Sequence, residues 1–198
     1  MIVFAAGTRE QDVYENVTTK LAAIDTLNDG DLDLYVANQP PSEVAVKKVM
    51  GNKIYYAFTN RLYRNDGGKK FTNVTGDAGL TNFNYTLSVA IWDHNKDGLL
   101  DIYLCNDYEE PDQLMINDGD GTFTNNIDDA MQHMSNFAMG SDFADINRDG
   151  HIDIYTADMA AEDSYRQKVN MSGMNPKKFW QPVDNGYHYQ YMYNAMQI

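Results

Sequence analysis

Acidic side chains recur in three nine-residue segments, at residues 25–33, 93–101 and 145–153. Each segment has Asp at positions 1, 5 and 9 and glycine at position 6, and the second and third also have Asn at position 3. Glycine permits the sharp turn that aims these side chains at one point, and oxygen ligands suit a hard cation. The pattern predicts calcium binding. The alternative is a metal-free Asp-Gly turn held by side-chain hydrogen bonds to the backbone.

An EF-hand is the rival interpretation, because its loop also begins Asp-x-Asx-x-Asp-Gly. That loop needs a bidentate Glu at position 12, but this position is Val36, Leu104 or Thr156 in the three segments. An EF-hand also needs flanking helices, whereas each segment runs into a short apolar stretch rich in β-branched and aromatic residues, such as LDIYL at 100–104. The three segments are therefore predicted to be loops between β-strands.

The repeat extends beyond the acidic loops, and its period indicates the architecture. The second and third loops begin 52 residues apart, at 93 and 145, and the same offset relates LYRNDG at 62–67 to LMINDG at 114–119. The first two loops begin 68 residues apart, and the extra 16 residues fall between Asn38 and Asn60. The predicted unit has two strands joined by the acidic loop and two strands joined by an Asn-Asp-Gly turn.

Four short antiparallel strands cannot cover both faces of their own sheet, so such units stack on copies of themselves. Radial stacking gives a β-propeller, whose blades have about 40 to 50 residues. A linear solenoid of calcium-binding nonapeptides would instead repeat every few residues. The predicted fold class is therefore all-β, with propeller blades of four antiparallel strands. Three loops indicate about three blades, which is an incomplete propeller.

The chain resembles the FG-GAP/VCBS repeat proteins, whose blades are like those of the integrin α-subunit head. The resemblance covers nearly the whole chain and looks closest to the bacterial secreted or surface branch, which is often found with an ASPIC/UnbV-type module. It implies calcium bound within each blade and a role in extracellular binding or adhesion. Besides the three loops and the strands after them, it rests on NRLYRN at 60–65, FTNVT at 71–75, AGL at 78–80 and DGDGTF at 118–123.

The resemblance implies that positions 1, 3, 5, 7 and 9 of each loop bind calcium. Position 7 would bind through its backbone carbonyl and the others through their side chains. The second loop then offers Asp93, Asn95, Asp97, Leu99 and Asp101. The third offers Asp145, Asn147, Asp149, His151 and Asp153. The first loop departs from the pattern because position 3 is Leu27, which has no side-chain oxygen. It offers Asp25, Asp29 and Asp33, with Asp31 or Asn28 as a substitute oxygen, and is expected to be the weakest site or empty.

Charge and composition narrow the range of partners. The 198 residues include 29 acidic and 15 basic side chains, for a formal net charge of −14. Nucleic acid and anionic membrane surfaces are therefore disfavoured as partners. No apolar run approaches the length of a membrane span, so no membrane insertion is expected. The expected partners are calcium and an unidentified protein or glycan ligand.

Residues 1–198 are predicted to form a single propeller segment. The sequence MIVFAA at residues 1–6 lacks the charged region and the length of a signal peptide. About three blades fall short of the four to eight that close a propeller. We therefore expect a segment of a longer secreted or surface protein, with the remainder of that chain as a further partner.

The segment 159–198 differs from the sequence before it, because it has 4 basic and 3 acidic residues and is rich in aromatic residues and methionine. It is predicted to be a long inter-blade excursion leading into a further blade. Its aromatic residues have two interpretations. They form either a contact surface for glycan or protein, or a layer that packs across the blade edges and closes the core.

No pattern in the sequence favours catalysis. The clustered acids are explained by turn geometry, and we find no Ser/His/Asp arrangement, glycine-rich phosphate loop or zinc-binding spacing of histidines. The chain is therefore predicted not to be an enzyme. The alternative function is a carbohydrate-active enzyme or its glycan-binding accessory domain, in which the aromatic residues of 159–198 bind sugar.

Overall fold

The computed structural model describes residues 17–39, 59–107, 110–160, 163, 165 and 176–198. These residues are mostly β-sheet, with few helices and no closed barrel. The all-β prediction, with four-stranded antiparallel blades in an incomplete propeller, is confirmed. None of the described helices is long and apolar enough to cross a membrane.

Two four-stranded antiparallel sheets come first in the chain. Sheet 1 has the strand order β1-β2-β3-β4, with strands at Val17–Ile24, Asp33–Gln39, Arg61–Asn65 and Phe71–Asn73. Sheet 2 has the order β5-β6-β7-β8, with strands at Tyr85–Trp92, Asp101–Asp107, Gln113–Asn117 and Phe123–Asn125.

A third sheet follows a short linker. The linker contains helix α1 (Ile127–Ala130) and strand β9 (Met134–Ser135). Sheet 3 begins with β10 (Ala138–Ala144) and β11 (Asp153–Asp158), and the chain then forms helix α2 (Pro176–Asp184) and strand β12 (Gln190–Tyr191). Strand β13 (Ala195–Gln197) pairs antiparallel with β11, which gives sheet 3 the order β10-β11-β13.

The strand pairing repeats with the same register in all three sheets. The first strand of each sheet has a register shift at one equivalent place, between Thr18 and Lys20 in β1 and at matching positions in β5 and β10. The second and third strands also pair equivalently, through Tyr35 with Leu62, Tyr103 with Leu114, and Tyr155 with Met196. The extra residues of sheets 1 and 3 therefore all lie between the second and third strands. Residues 40–58, which contain most of the predicted insertion of sheet 1, lie outside the described residues.

The register of β13 corrects one prediction. The sequence indicates that the segment 159–198 leads into a further blade, but β13 is the third strand of sheet 3. The residues of β13, AMQ at 195–197, do not resemble RLYRN of β3 or QLMIN of β7. The strand could therefore not be recognised from the repeat, and only its pairing with β11 assigns it.

The segment before β13 packs on the linker between sheets 2 and 3. Strand β12 pairs in parallel with β9, and the backbone N–H of Met134 donates to the carbonyl of Tyr189 at 3.0 Å. The His188 ring nitrogen Nε2 lies 2.6 Å from the carbonyl oxygen of Met131. Within β13 itself, Gln197 Nε2 donates to the carbonyl of His133 at 2.8 Å. These contacts fix the segment against the edge of the stacked sheets.

The hydrophobic core lies between the sheets. One cluster joins sheet 1, through Tyr35 and Leu62, to Ile102 and Leu104 of sheet 2. A second cluster joins the other face of sheet 2 to sheet 3, and it includes the stacked rings of Trp92 and Phe143, whose centroids lie 5.3 Å apart. Alternate residues of each central strand thus face opposite neighbours, which is why these strands are apolar on both faces.

The side chain before each third strand closes its sheet in the same way. The Oδ1 atom of this side chain accepts the backbone N–H at the end of the second strand, at 2.7 to 2.8 Å. The three acceptor–donor pairs are Asn60 with Asn38, Asp112 with Asn106, and Asn194 with Asp158. In sheet 2 the acceptor is a carboxylate instead of an amide.

Asp112 is fully buried at this position. Besides accepting the Asn106 N–H, it accepts the Tyr103 hydroxyl at 2.6 Å. Burial raises the pKa of Asp112 to about 7, against the opposing effect of these two hydrogen bonds, and the negative charge of Asp158 raises it further. The folded chain therefore holds a proton here that the unfolded chain releases near pH 4.

The Asp112→Asn variant tests this protonation. Because the folded pKa lies above the unfolded value, the contribution of Asp112 to the unfolding free energy is greatest below about pH 4 and is lost as the pH rises towards 7. Relative to Asp112→Asn, the wild type should lose about 1 kcal/mol of stability per pH unit in this window. Urea unfolding in EDTA at several pH values measures the difference. Asp128→Asn, at an exposed carboxylate, is the control, and parallel pH profiles for wild type and Asp112→Asn would contradict the assignment.

Candidate metal-binding loops

The three acidic loops have the same backbone conformation. Each connects the first and second strands of its sheet. At position 4 the φ angle is positive in a residue other than glycine, at 54° for Asn28, 61° for Lys96 and 62° for Arg148. The glycine at position 6 also has positive φ, between 85° and 89°. Lys and Arg rarely adopt this conformation, so the loop must be held by other interactions.

The carboxylate at position 1 supplies two of these interactions. Asp93 accepts the N–H of Asp97 at 3.1 Å and the N–H of Gly98 at 2.9 Å. Asp25 and Asp145 accept the equivalent pairs at 2.9 to 3.1 Å. One side chain thus binds both backbone N–H groups at the tip of each turn.

Positions 3 and 5 supply further bonds along the loop. The carboxylate at position 5 accepts the N–H of position 7, as Asp29 does from Asp31 and Asp97 does from Leu99. In the second loop Asn95 accepts the Asp97 N–H at 3.1 Å and donates its amide to Asp97 Oδ2 at 2.8 Å. The third loop repeats all of these bonds through Asn147, Asp149 and His151.

The carboxylate at position 9 is buried and joins the loop to the rest of its sheet. Asp101, with no exposed surface, accepts the N–H of His94 and the N–H of Asn117, both at 2.8 Å. Asp33 accepts the equivalent N–H groups of Thr26 and Asn65, and also the Thr26 hydroxyl.

In sheet 3, Asp153 accepts the N–H of Ile146 at 2.8 Å through Oδ2. Its Oδ1 atom is buried and has no hydrogen-bond partner among the described residues. Among the described residues, the hydrogen bond of Asp153 is therefore to its own loop.

The pKa values of the loop carboxylates shift in opposite directions at buried and exposed positions. Burial raises the pKa of Asp101, the two N–H bonds oppose this effect, and the nearby negative charge of Asp97 adds to it. At the exposed Asp149, the hydrogen bond from the His151 N–H lowers the pKa, and the Asn147 amide lowers it further. The influence of Asp97 on Asp101 places positions 5 and 9 within electrostatic reach of each other.

The carboxylates do not form a ready-made ion cage. In the part of the chain that the structure describes, no three His, Cys, Asp or Glu side chains lie close enough together to hold a metal. The donor set of the second and third loops nevertheless fits calcium, because every predicted ligand atom is an oxygen. Each carboxylate has about four lone-pair sites, and its N–H bonds occupy only one or two of them.

The first loop is held by a different contact. Its position 3 residue, Leu27, packs near Gly121 in the turn between β7 and β8, where Cδ2 of Leu27 lies 3.4 Å from the place of a Cβ atom on that glycine. The carbonyl of Thr26 also accepts a hydrogen bond from the Asn117 amide at 3.0 Å. The oxygen ligand missing at position 3 is thus replaced by apolar packing against sheet 2.

Sequence reasoning missed one part of the loop structure. The sequence identifies Asn65 and Asn117 only as members of an Asn-Asp-Gly turn. In the structure their backbone N–H groups bind the position 9 carboxylates, and their amides donate to the carbonyls of Leu32 and Leu100. The shared 52-residue offset of loop and turn was the available signal. It did not reveal that the two motifs lie side by side.

Comparison with known proteins gives one family. A family model described as an FG-GAP-like repeat matches residues 25–104 and 93–156, and the two matches together span more than half of the 198 residues. A comparison with curated proteins found no match. The matched regions contain all three acidic loops, the whole of β2 and β6, and the first four residues of β11. The chain belongs to the FG-GAP-like repeat family.

Proposed function

We propose that this protein is a calcium-binding β-propeller-type module that acts in extracellular binding or adhesion and is not an enzyme. FG-GAP-like repeats are in general non-catalytic binding modules and are typically extracellular or at the cell surface. The single observation that carries the calcium proposal is the left-handed turn shared by three loops whose side chains all offer carboxylate oxygens at positions 1, 5 and 9. The proposed extracellular setting rests on the family.

Calcium would be held in the second loop by Asp93, Asn95, Asp97, the carbonyl of Leu99, and Asp101. The third loop would use Asp145, Asn147, Asp149, the carbonyl of His151, and Asp153. The bound ion supplies positive charge to offset the repulsion among these carboxylates. The protein orients the ligands by the N–H bonds described above, and the buried position 9 carboxylate couples the loop to the second strand.

The first loop is proposed to be the weakest site or to bind no ion. Asp25, Asp29 and Asp33 make the same backbone bonds as their equivalents. The loop is, however, already fixed by Leu27 and by the Asn117 bond to Thr26. Asp31, which donates its N–H to Asp29, and Asn28 are the remaining candidates for the substitute oxygen.

A glycan is a second candidate partner, and the exposed aromatic rings before β13 favour it. Trp180, Tyr187, Tyr189 and Tyr193 each have between 44% and 50% of their surface exposed. Tyr189, Tyr191 and Tyr193 lie nearly parallel, with neighbouring ring centroids 6.5 and 5.3 Å apart. Exposed aromatic rings with polar edges suit partners that have both apolar and hydroxyl-bearing surfaces.

Thermal melts test calcium binding. Calcium at about 100 times the dissociation constant adds roughly 2.7 kcal/mol per site, which corresponds to about 5 to 10 °C for a chain of this size. We expect a rise with calcium over EDTA that magnesium does not match at equal ionic strength. The rise should shrink in Asp97→Ala and Asp149→Ala.

The matched control is Asp29→Ala, which removes the equivalent side chain from the first loop. Because that loop is expected to contribute least, this variant should keep most of the calcium effect. Equal melting temperatures of the wild type in calcium and EDTA, with a folded circular dichroism spectrum in both, would contradict calcium binding.

Asp101→Asn separates the structural role of position 9 from metal binding. In the wild type, the backbone N–H groups of His94 and Asn117 both donate to the Asp101 carboxylate. The amide NH₂ introduced at position 101 would face one of these N–H groups, so that two donors would lie opposite each other. In EDTA we expect a loss of roughly 1 to 3 kcal/mol in unfolding free energy. The exposed Asp97→Asn should lose much less under the same conditions. Urea unfolding measures both, and equal stabilities would show that the buried bonds are not needed.

A glycan array with the wild type and Trp180→Ala tests the second candidate. Binding that Trp180→Ala weakens, followed by a hydrolysis assay that releases no product, would support a glycan-binding module. Leu32→Ala, at an exposed residue in the first loop, is the control for general surface changes. Product release from a bound glycan would overturn the non-enzyme assignment.

A further inference from the structure

A cleft lies between sheets 1 and 2, at the end of the sheets where the acidic loops are found. It has a volume of about 190 Å³ and is lined by the first acidic loop, β3, the connection between β4 and β5, and the turn between β7 and β8. All of these segments belong to the described residues. In sheet 1 the chain leaves the described residues at Val17, Gln39 and Thr59, which lie at the opposite end of the sheet.

The walls of the cleft are held by hydrogen bonds that cross from one sheet to the other. The Asn117 amide donates to the carbonyl of Thr26 at 3.0 Å. The Phe123 N–H donates to the carbonyl of Ala78, also at 3.0 Å, and the Ala78 N–H donates to the carbonyl of Val74 at 2.8 Å. The cleft is therefore formed before a ligand arrives, which lowers the cost of binding.

The floor of the cleft is apolar. Leu62 and Ala78 line it, and each is only 1% exposed. Val74 and Leu27 add further apolar surface above them. Leu27 is the residue that departs from the calcium pattern of the acidic loops, so this departure places an aliphatic side chain in the cleft. Such a floor suits an aliphatic group of a ligand.

Three charged side chains also line the cleft, and they do not neutralise one another. Arg64 donates its Nε–H to Asp66 at 3.0 Å, which leaves its two terminal nitrogens without a partner among the described residues. Asp120 accepts the N–H and the hydroxyl of Thr122 through Oδ1, at 3.0 and 2.6 Å. Neither Asp77 nor Asp120 forms an ion pair in the described part of the chain. One positive and two negative groups are therefore available to a ligand in the same cleft.

Sheet stacking does not by itself require this combination of side chains. Ile116 of β7 occupies the place that Arg64 has in the strand pairing of β3. Asn95 of the second acidic loop occupies the place that Leu27 has in the first. Sheet 2 therefore stacks on sheet 3 with neither the cation nor the aliphatic side chain at the equivalent positions.

We propose that the cleft binds a free α-amino acid with an aliphatic side chain. The carboxylate of the ligand pairs with the terminal nitrogens of Arg64, and its ammonium group pairs with Asp77 and Asp120. Its side chain lies on the apolar floor. Drug-sized ligands occupy pockets of about 300 to 1,000 Å³, so the smaller volume of this cleft suits a ligand of this size. A ligand with a single charge leaves the opposite side of the cleft unpaired, which gives selectivity for a zwitterion.

Nuclear magnetic resonance of the isotope-labelled full chain in calcium tests the proposal. Millimolar L-leucine should shift the backbone N–H signals of Leu27, Ala78 and Gly121, which line the cleft. Isocaproate has the same aliphatic group and carboxylate but no ammonium group, and isoamylamine has the ammonium group but no carboxylate. Each should bind roughly tenfold or more weakly than L-leucine, because one charge-assisted contact is lost.

Two variants assign the charges of the ligand to their partners. Arg64→Gln should weaken L-leucine binding by roughly tenfold or more and remove the preference for L-leucine over isoamylamine. Asp77→Asn should weaken binding by a smaller factor, because Asp120 keeps part of the ammonium site, and should reduce the preference for L-leucine over isocaproate.

Lys69→Gln is the matched control, because it removes an exposed positive charge from the turn after β3 at a residue that does not line the cleft. It should bind L-leucine as the wild type does. Circular dichroism confirms that each variant is folded. The proposal is overturned if L-leucine shifts no signal at the cleft, if isoamylamine or isocaproate binds as tightly as L-leucine, or if Arg64→Gln keeps the wild-type affinity.

Discussion

The structure depends on a buried carboxylate at the start of each second strand. In sheets 1 and 2, Asp33 and Asp101 accept one N–H from the acidic loop and another from the end of the third strand. Two segments that are distant in sequence are thereby fixed to one side chain. A buried carboxylate needs such partners, because leaving its charge without them would be costly. The loop conformation, the register of three strands and the candidate ion site all meet at this residue.

The opposite end of each sheet is built differently. There the connection between the second and third strands varies in length, with five residues between β6 and β7, 108–112, and 36 between β11 and β13, 159–194. The same hydrogen bond is kept in all three sheets: the backbone N–H at the end of the second strand donates to the Asn or Asp side chain just before the third strand. A loop can therefore lengthen at this end without changing the register, because its exit and entry points are fixed. The acidic loops at the other end keep one length because their side chains must reach one another.

The two ends of the sheets also suit different parts of the proposed function. The loops that fit calcium have fixed lengths and shared backbone angles, which suits a role in stabilising the strand connections. The long connection between β11 and β13 carries the exposed aromatic residues Trp180 and Tyr189, which suits a role in contact with a partner. Both core clusters of the described residues span two neighbouring sheets, so stacking of the sheets fixes the positions of the two ends relative to each other.

The sequence by itself determined the repeating unit, the loops between strands, and the all-β architecture, because each is encoded by residues close together in the chain. Asp and Gly at fixed spacing define the loop, and the apolar stretch after it defines the second strand. Only the tertiary structure decided that the Asn65 and Asn117 turns bind those loops, that Leu27 packs against Gly121, and that β13 belongs to sheet 3. These depend on contacts between residues far apart in sequence, in places where the repeat gives no local signal. The physical reason is that register and packing are set by which strands meet, and a sequence pattern specifies a strand without specifying its neighbour.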